Sequence, residues 1–211
     1  MNFSISTSTH DAYHPRAGHL CLDFANTKSM RTSDRPYDWL ESYTDLAAWS
    51  QLVGLLSEDE MRLLQEAAEA RPAEAEGVFL RAVELREAVY HLYSAYAHRR
   101  VPEAADLECL NAELSAALCR LKIRAAGGRY ALDWDHTLDA LDWMLWPVAR
   151  SAAELLTSAE ARRVGECQGE GCGALFVDMS KNHSRRWCDM RDCGNRAKAR
   201  QHYARRRKAK V

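Results

Sequence analysis

The feature that most constrains this chain lies in its last fifty residues. Four cysteines fall there as two close pairs, "CQGEGC" (Cys167, Cys172) and "CDMRDC" (Cys188, Cys193), with fifteen residues between the pairs. Zinc takes four tetrahedral thiolates, and a short chain supplies them most readily as two close pairs joined by a hairpin-length loop. Two disulfides would also use the four sulfurs. Against them, Cys21, Cys109 and Cys119 bring the total to an odd seven, and "MNFSISTSTHDAYHPR" at the N-terminus has neither the basic nor the apolar region of an export signal. A reducing compartment, the cytoplasm, is the expectation, with those three further cysteines as buried, inert thiols at apolar-patterned positions. Gly169, Gly171 and Gly173 allow tight folding around the first pair, "ALFVD" supplies a short strand, "KNHS" a turn, and Asp189 is placed to cap a helix carrying Cys193 in its first turn. That order is a knuckle, a hairpin and a helix, as in a treble-clef-like finger. Four thiolates leave no open coordination position, so one Zn2+ here would be structural rather than catalytic. A module of this size with few large apolar groups needs such a staple.

Charge is divided as sharply as the cysteines are grouped. From Arg162 onward there are fourteen Lys and Arg against five Asp and Glu; the preceding residues hold fifteen against twenty-five. A nearly neutral chain split in this way points to a polyanionic partner for its basic end. The surplus sits on "NRAKARQHYARRRKAK", where a helical wheel puts Arg196, Arg200 and Arg207 on one stripe and Lys198 with Arg205 on another. Arg185 and Arg186 lie just upstream. Part of this charge offsets the net −2 of a zinc tetrathiolate and part complements a helix C-terminus. The remainder is accounted for most simply by phosphate contact; a solvated or protein-binding face is the alternative.

The first 161 residues read as a separate, mostly helical α+β domain with a small sheet, and residues 162–211 as the finger. "HLCLDFANT" reads as a short buried strand. "YTDLAAWSQLVGLLSEDEMRLLQEAAEA" reads as two helices broken at Gly54, the second opened by a Ser57/Glu60 capping box. Ala82, Leu85, Val89, Leu92 and Tyr96 mark an amphipathic helix to about Arg99, and Leu107, Leu110, Leu114 and Leu118 mark another. "LKIRAAGGRYALDW" alternates around Gly127-Gly128 and predicts a β-hairpin. Leu138, Leu141, Leu145, Val148, Ala152 and Leu155 mark a last helix, with a kink or break expected at Pro147. Trp39, Trp49, Trp134, Trp143 and Trp146 are expected in the core, with one or two free to line a ligand pocket between helices and hairpin.

The segment "CGNRAKARQHYARRR", with "CQGEGCGALFVDMSKNHSRRWCDM" upstream, resembles the CGNR zinc finger, whose name is spelled here by Cys193, Gly194, Asn195 and Arg196. "GHLCLDFANT" followed by "WLESYTDLAAWSQLVGLLS" resembles the ABATE domain that accompanies this finger in bacteria, and "LWPVARSAAELLTS" resembles the segment joining the two. The resemblance covers nearly the whole chain and departs at Ala174, where a bulkier residue is expected. It implies a stress-related transcription regulator whose finger binds DNA and whose larger domain senses a small ligand.

For that ligand, the polar end of the expected first strand offers Asp23, Asn26 and Thr27, with His19 and Arg31 nearby; Asn26 and Thr27 also suit plain turn-making. No nucleophile–base pair or paired carboxylate is fixed by any motif, and His14, His19, His91, His98 and His136 are scattered singly, so an enzyme is not expected. Three readings remain. One is a DNA-binding regulator, with pairing of two copies as a possible device. The second is an RNA binder stacking bases on Trp187, Tyr203 or Phe176. The third is a zinc-stapled protein-interaction module.

Overall fold

The computed structural model describes residues 13–135 and 140–208, without the side chains of Ala126, Arg207 and Lys208. Its N-terminal part is a bundle built around α1 (Leu20–Ala25), the long α4 (Pro72–Ala97), α5 (Ala104–Leu118) and α6 (Leu145–Thr157), with α2 (Tyr43–Leu52) and α3 (Glu58–Ala70) against α4. Three two-stranded antiparallel sheets complete the chain: β1 (Lys28–Ser29) with β2 (Tyr37–Asp38), β3 (Leu121–Ala126) with β4 (Arg129–Trp134), and β5 (Val164–Glu166) with β6 (Leu175–Val177).

The segment expected as a first strand is helical. Cys21, Leu22, Asp23, Phe24 and Ala25 of α1 are all buried, with α4 and α6 packed against them. A short apolar run buried on every side has no periodicity to separate strand from helix, and here tertiary packing decides. The other element expectations hold more closely. Ser57 accepts from the backbone N–H of Glu60 while Glu60 accepts from that of Ser57, completing the capping box of α3. Gly54, at φ +78°, ends the α2 turn in the left-handed region that glycine enters without a Cβ penalty. Pro72 opens α4 at a position whose N–H has no helical acceptor.

Pro147 does not kink a longer helix, because α6 begins only at Leu145. The proline falls in the first turn, where its missing N–H costs nothing. Leu138 and His136 lie outside the described residues. Leu110 is buried on α5, but Leu107, Leu118 and, at the end of α4, Tyr96 are exposed; α5 buries Glu113 and Ala117 instead, and Glu113 holds the Arg81 guanidinium of α4 through two bonds of 2.9 and 2.8 Å. Trp49, Trp143 and Trp146 are core residues, while Trp39 and Trp134 are only partly buried. Cys21 is buried, and burial pushes its thiol up to about 11. Cys109 is half-buried and Cys119 exposed, contrary to the expectation of three buried thiols.

Composition changes at Arg162, but packing does not. Along β6 the side chains alternate: Leu175 and Val177 join the main hydrophobic core, while Phe176 packs on the cysteine cluster, as period-two strand geometry requires. Asn26, at the end of α1, pairs with the backbone of Leu175 in both directions, its Nδ2 donating to the carbonyl and its Oδ1 accepting from the N–H, each at 2.8 Å. The N–H groups of Arg31 and Thr32 donate to the carbonyls of Cys172 and Gly171, and that of Val177 to Ala17. The finger's sheet is thus a wall of the helical core.

Candidate metal centre and basic helix

Cys167 follows β5, Cys172 closes the knuckle, Cys188 precedes a π-turn (Met190–Gly194), and Cys193 sits inside that turn. The four Sγ atoms all lie within 4.8 Å of one another, and two of the separations, Cys172–Cys188 and Cys188–Cys193, are 3.7 Å. A disulfide would need about 2 Å. A tetrahedron with metal–sulfur bonds of about 2.3 Å has edges of roughly 3.8 Å, so the donor set fits a single four-coordinate ion.

The surroundings fit it as well. A Cβ on Gly169 would stand 2.8 Å from the Cys193 sulfur, so the knuckle closes only because that residue has no side chain. Gly171 has φ +74°, and a Cβ there would meet Ser33 at 2.9 Å, on the far side of the seam. Without a cation, four crowded thiols must share protons. Cys167, accepting from Cys172, Cys188 and Cys193, is held below the usual thiol range, and Cys188, bonded to the same cluster, above it. A soft divalent cation removes that conflict by replacing the shared protons.

Asp189 caps the π-turn, its Oδ1 accepting from the Arg191 N–H at 2.7 Å, and its second oxygen pairs with Arg16 of the N-terminal part. From this turn rises α7 (Asn195–Lys208). Every residue from Lys198 to Arg206 is exposed. A fourteen-residue helix with no buried residue among its described side chains owes little of its order to packing.

The structure sorts the basic residues singled out from the sequence. Arg196 donates to the Cys193 sulfur at 3.0 Å and pairs with Asp192 at 3.1 Å. Arg200 pairs with Glu170 of the knuckle. Arg185 lies over the Phe176 ring and donates to the carbonyls of Val177, Trp187 and Cys188, so it clamps the finger from inside. Arg186 is exposed and bonds Gln168 at 2.7 Å. Lys198, Arg205 and also Arg206 make no ion pair with any described residue. The Arg207 side chain lies outside the described residues. Of the three aromatics considered for base stacking, Phe176 is buried, Trp187 packs on the cysteine cluster, and Tyr203 is exposed.

The residues considered for a ligand are spread over the seam and carry its structure. Asp23 accepts from the N–H groups of Arg16 (2.7 Å) and Ala17 (2.9 Å), and burial raises its pKa. Thr27 is buried, its hydroxyl donating to Phe24. His19 meets Glu160 at 3.0 Å. Arg31 stacks 3.9 Å from the Tyr90 ring centre and bonds Glu87 and the Ala25 carbonyl. Burial opposes ionisation of Glu87, but Arg31, then Arg86 and Lys28, outweigh it and hold its pKa at about 2. Arg86, itself buried, grips Asp38 with bonds of 2.6 and 2.7 Å. This network ties the β1–β2 loop to α4, and that loop receives the knuckle. Nothing in the local sequence signals it, because its members are far apart along the chain.

A cleft of about 780 Å³ opens between the β1–β2 loop and the knuckle, with Asp23 and Asn26 at its edge. Ala174, small where a bulkier side chain was expected, lines it.

A four-cysteine cluster on a strand pair, π-turn and basic helix, joined to a helical bundle, defines a zinc-finger class of protein with a larger accompanying domain. Comparison with family models agrees: residues 163–206 match the CGNR zinc finger, and residues 18–159 match ABATE, described as "Putative stress-induced transcription regulator". The chain belongs to the ABATE family. Neither is an enzyme family. A search of curated proteins finds no match. No helix among the described residues is long and apolar enough to cross a membrane.

Proposed function

We propose that the chain is a DNA-binding transcription regulator in which Zn2+, held by Cys167, Cys172, Cys188 and Cys193, fixes the start of α7 so that its cations meet the phosphate backbone. The observation that carries this is the state of α7. It is rooted on a metal-competent turn, cationic on most sides, exposed from Lys198 to Arg206, and unpaired at Lys198, Arg205 and Arg206 among the described residues. Such a surface gains free energy by releasing counterions from a polyanion. Arg196 and Arg200 reach DNA by exchanging Asp192 and Glu170 for phosphate, which is cheap because exposed ion pairs contribute only about 0–1 kcal/mol. Arg186 adds a further exposed cation, Arg207 is proposed as a contact from its place in the sequence, and Arg185 supports the finger from within. Most of these contacts position the module rather than read sequence. The N-terminal part modulates the contact through a small ligand or by pairing two copies.

The RNA reading has less support, since only Tyr203 of the three aromatics stands free to stack. The test is titration of the zinc-loaded full-length chain with duplex DNA and with single-stranded RNA across a salt series. Binding to the duplex with a log–log slope of about −0.9 per neutralised phosphate is the expected result. A flat slope, or no binding to either polymer, sinks the proposal; tighter binding to RNA replaces it with the second reading.

A further inference from the structure

Three of the segments that line the cleft beside the metal centre each contribute a guanidinium: Arg16 from the stretch before α1, Arg35 from the β1–β2 loop, and Arg196 from the first turn of α7. Two of these are held by carboxylates of the finger, Arg16 by Asp189 and Arg196 by Asp192. Arg35 is exposed and makes no ion pair with any described residue. The loop wall is also aromatic. Tyr37 and Trp39 meet edge to face with ring centres 4.9 Å apart, and Tyr13 approaches Trp39 at 6.0 Å. The lining also holds three carboxylates, but Asp189 and Asp192 are engaged by Arg16 and Arg196 and Asp23 by the backbone N–H groups of Arg16 and Ala17. The donor left over is the Arg35 guanidinium, whose fork of N–H groups matches a carboxylate in pairs. Aromatic faces beside them favour a flat ring, and a hollow of this volume suits a small molecule rather than a chain.

We infer that this cleft binds a small planar anion, an aromatic or heteroaromatic carboxylate, and that its occupancy weakens the hold of α7 on DNA; the second half rests on the reading of α7 proposed above. Arg35 supplies the free donor, and the ring lies against Tyr37 and Trp39. The route to the helix is short. A carboxylate in the cleft competes with Asp189 for Arg16, and Asp189 is the cap of the turn that holds Cys193 and begins α7. It also competes with Asp192 for Arg196, withdrawing a cation from the helix and adding negative charge beside it.

The test uses the zinc-loaded full-length chain and isothermal calorimetry with two probes, indole-3-acetate and its neutral amide. The expected result is saturable binding of one carboxylate per chain, at least tenfold weaker binding of the amide, and about a tenfold loss with Arg35→Gln, whose exposed side chain leaves folding unaffected. No binding of indole-3-acetate up to millimolar concentration overturns the site, and equal binding of acid and amide overturns its anionic character. In a second arm, saturating indole-3-acetate is expected to weaken duplex binding several-fold, with DNA weakening the acid by the same factor and Arg35→Gln raising about tenfold the acid concentration at which the effect is half complete. Unchanged DNA affinity overturns the coupling while leaving the site intact. A chain that binds the acid but no DNA at all refutes the proposed function and not the cleft.

Discussion

The two halves of the finger are stabilised by opposite means. Its sheet and knuckle are embedded: Leu175 and Val177 lie in the main core, Asn26 stitches β6 to α1, and the carbonyls of Gly171 and Cys172 are occupied by the loop after β1. Its helix is the reverse, exposed and cationic from Lys198 to Arg206. The four clustered cysteines sit at the joint between a buried region and an exposed, cationic one. The lesson is that a basic helix with little packing of its own needs a rigid mount, and that the mount packs against the helical core. A perturbation at the metal should therefore reach the helical bundle, while a change on α7 should not.

The largest expected effect is loss of the metal. Structural sites of this kind contribute on the order of 10 kcal/mol in small peptides, and Cys172→Ser should abolish stoichiometric zinc and lower the thermal midpoint of the whole chain, read by metal release and by circular dichroism. A bundle that melts at an unchanged temperature would break the comparison. Next comes Asn26→Ala, which leaves two backbone groups of Leu175 without partners; the expected loss is about 2–4 kcal/mol in urea unfolding. A value below 0.5 kcal/mol would mean that the seam is incidental.

Acid provides a milder probe. Glu87 is held at about 2, below its ordinary 4.5, so its contribution is complete above pH 4.5 and disappears as pH falls toward 2. Screened by partial exposure, this amounts to about 1–2 kcal/mol. Glu87→Gln should lower stability at neutral pH and flatten its decline below pH 5. Smallest in stability is the combined change of Lys198, Arg205 and Arg206 to Ala. It should move unfolding by less than about 0.5 kcal/mol, yet reduce the salt slope of duplex binding by up to about 2.7. A large destabilisation would show that these side chains hold structure.

The ligand residues show where sequence reading stops. Asp23, Asn26 and Thr27 drew notice as polar groups at the end of a buried segment, and they do cluster at the seam. Their polar atoms, however, are occupied by backbone groups of Arg16, Ala17, Leu175 and Phe24, most of them invisible from local pattern. Among the cations the helical wheel favoured Arg196 and Arg200, and these two turn back to Cys193, Asp192 and Glu170. The wheel shows which residues share a stripe but not what that stripe faces. Arg185 stands beside the exposed Arg186 in sequence yet turns inward to the carbonyls of Val177, Trp187 and Cys188, which charge pattern does not reveal.

The sequence alone determined the four-thiolate set, the capped helices, the β3–β4 hairpin and the charge division, because each depends on spacing or composition within a short window. Tertiary structure alone decided that α1 is a helix, that Pro147 begins α6 rather than kinks it, and that the finger's sheet belongs to the bundle. These outcomes depend on which surfaces meet, and a buried segment takes the backbone form that satisfies its neighbours. The cleft is of the same kind: its arginines and aromatics come from segments distant in sequence and share one hollow only when the knuckle docks against the loop.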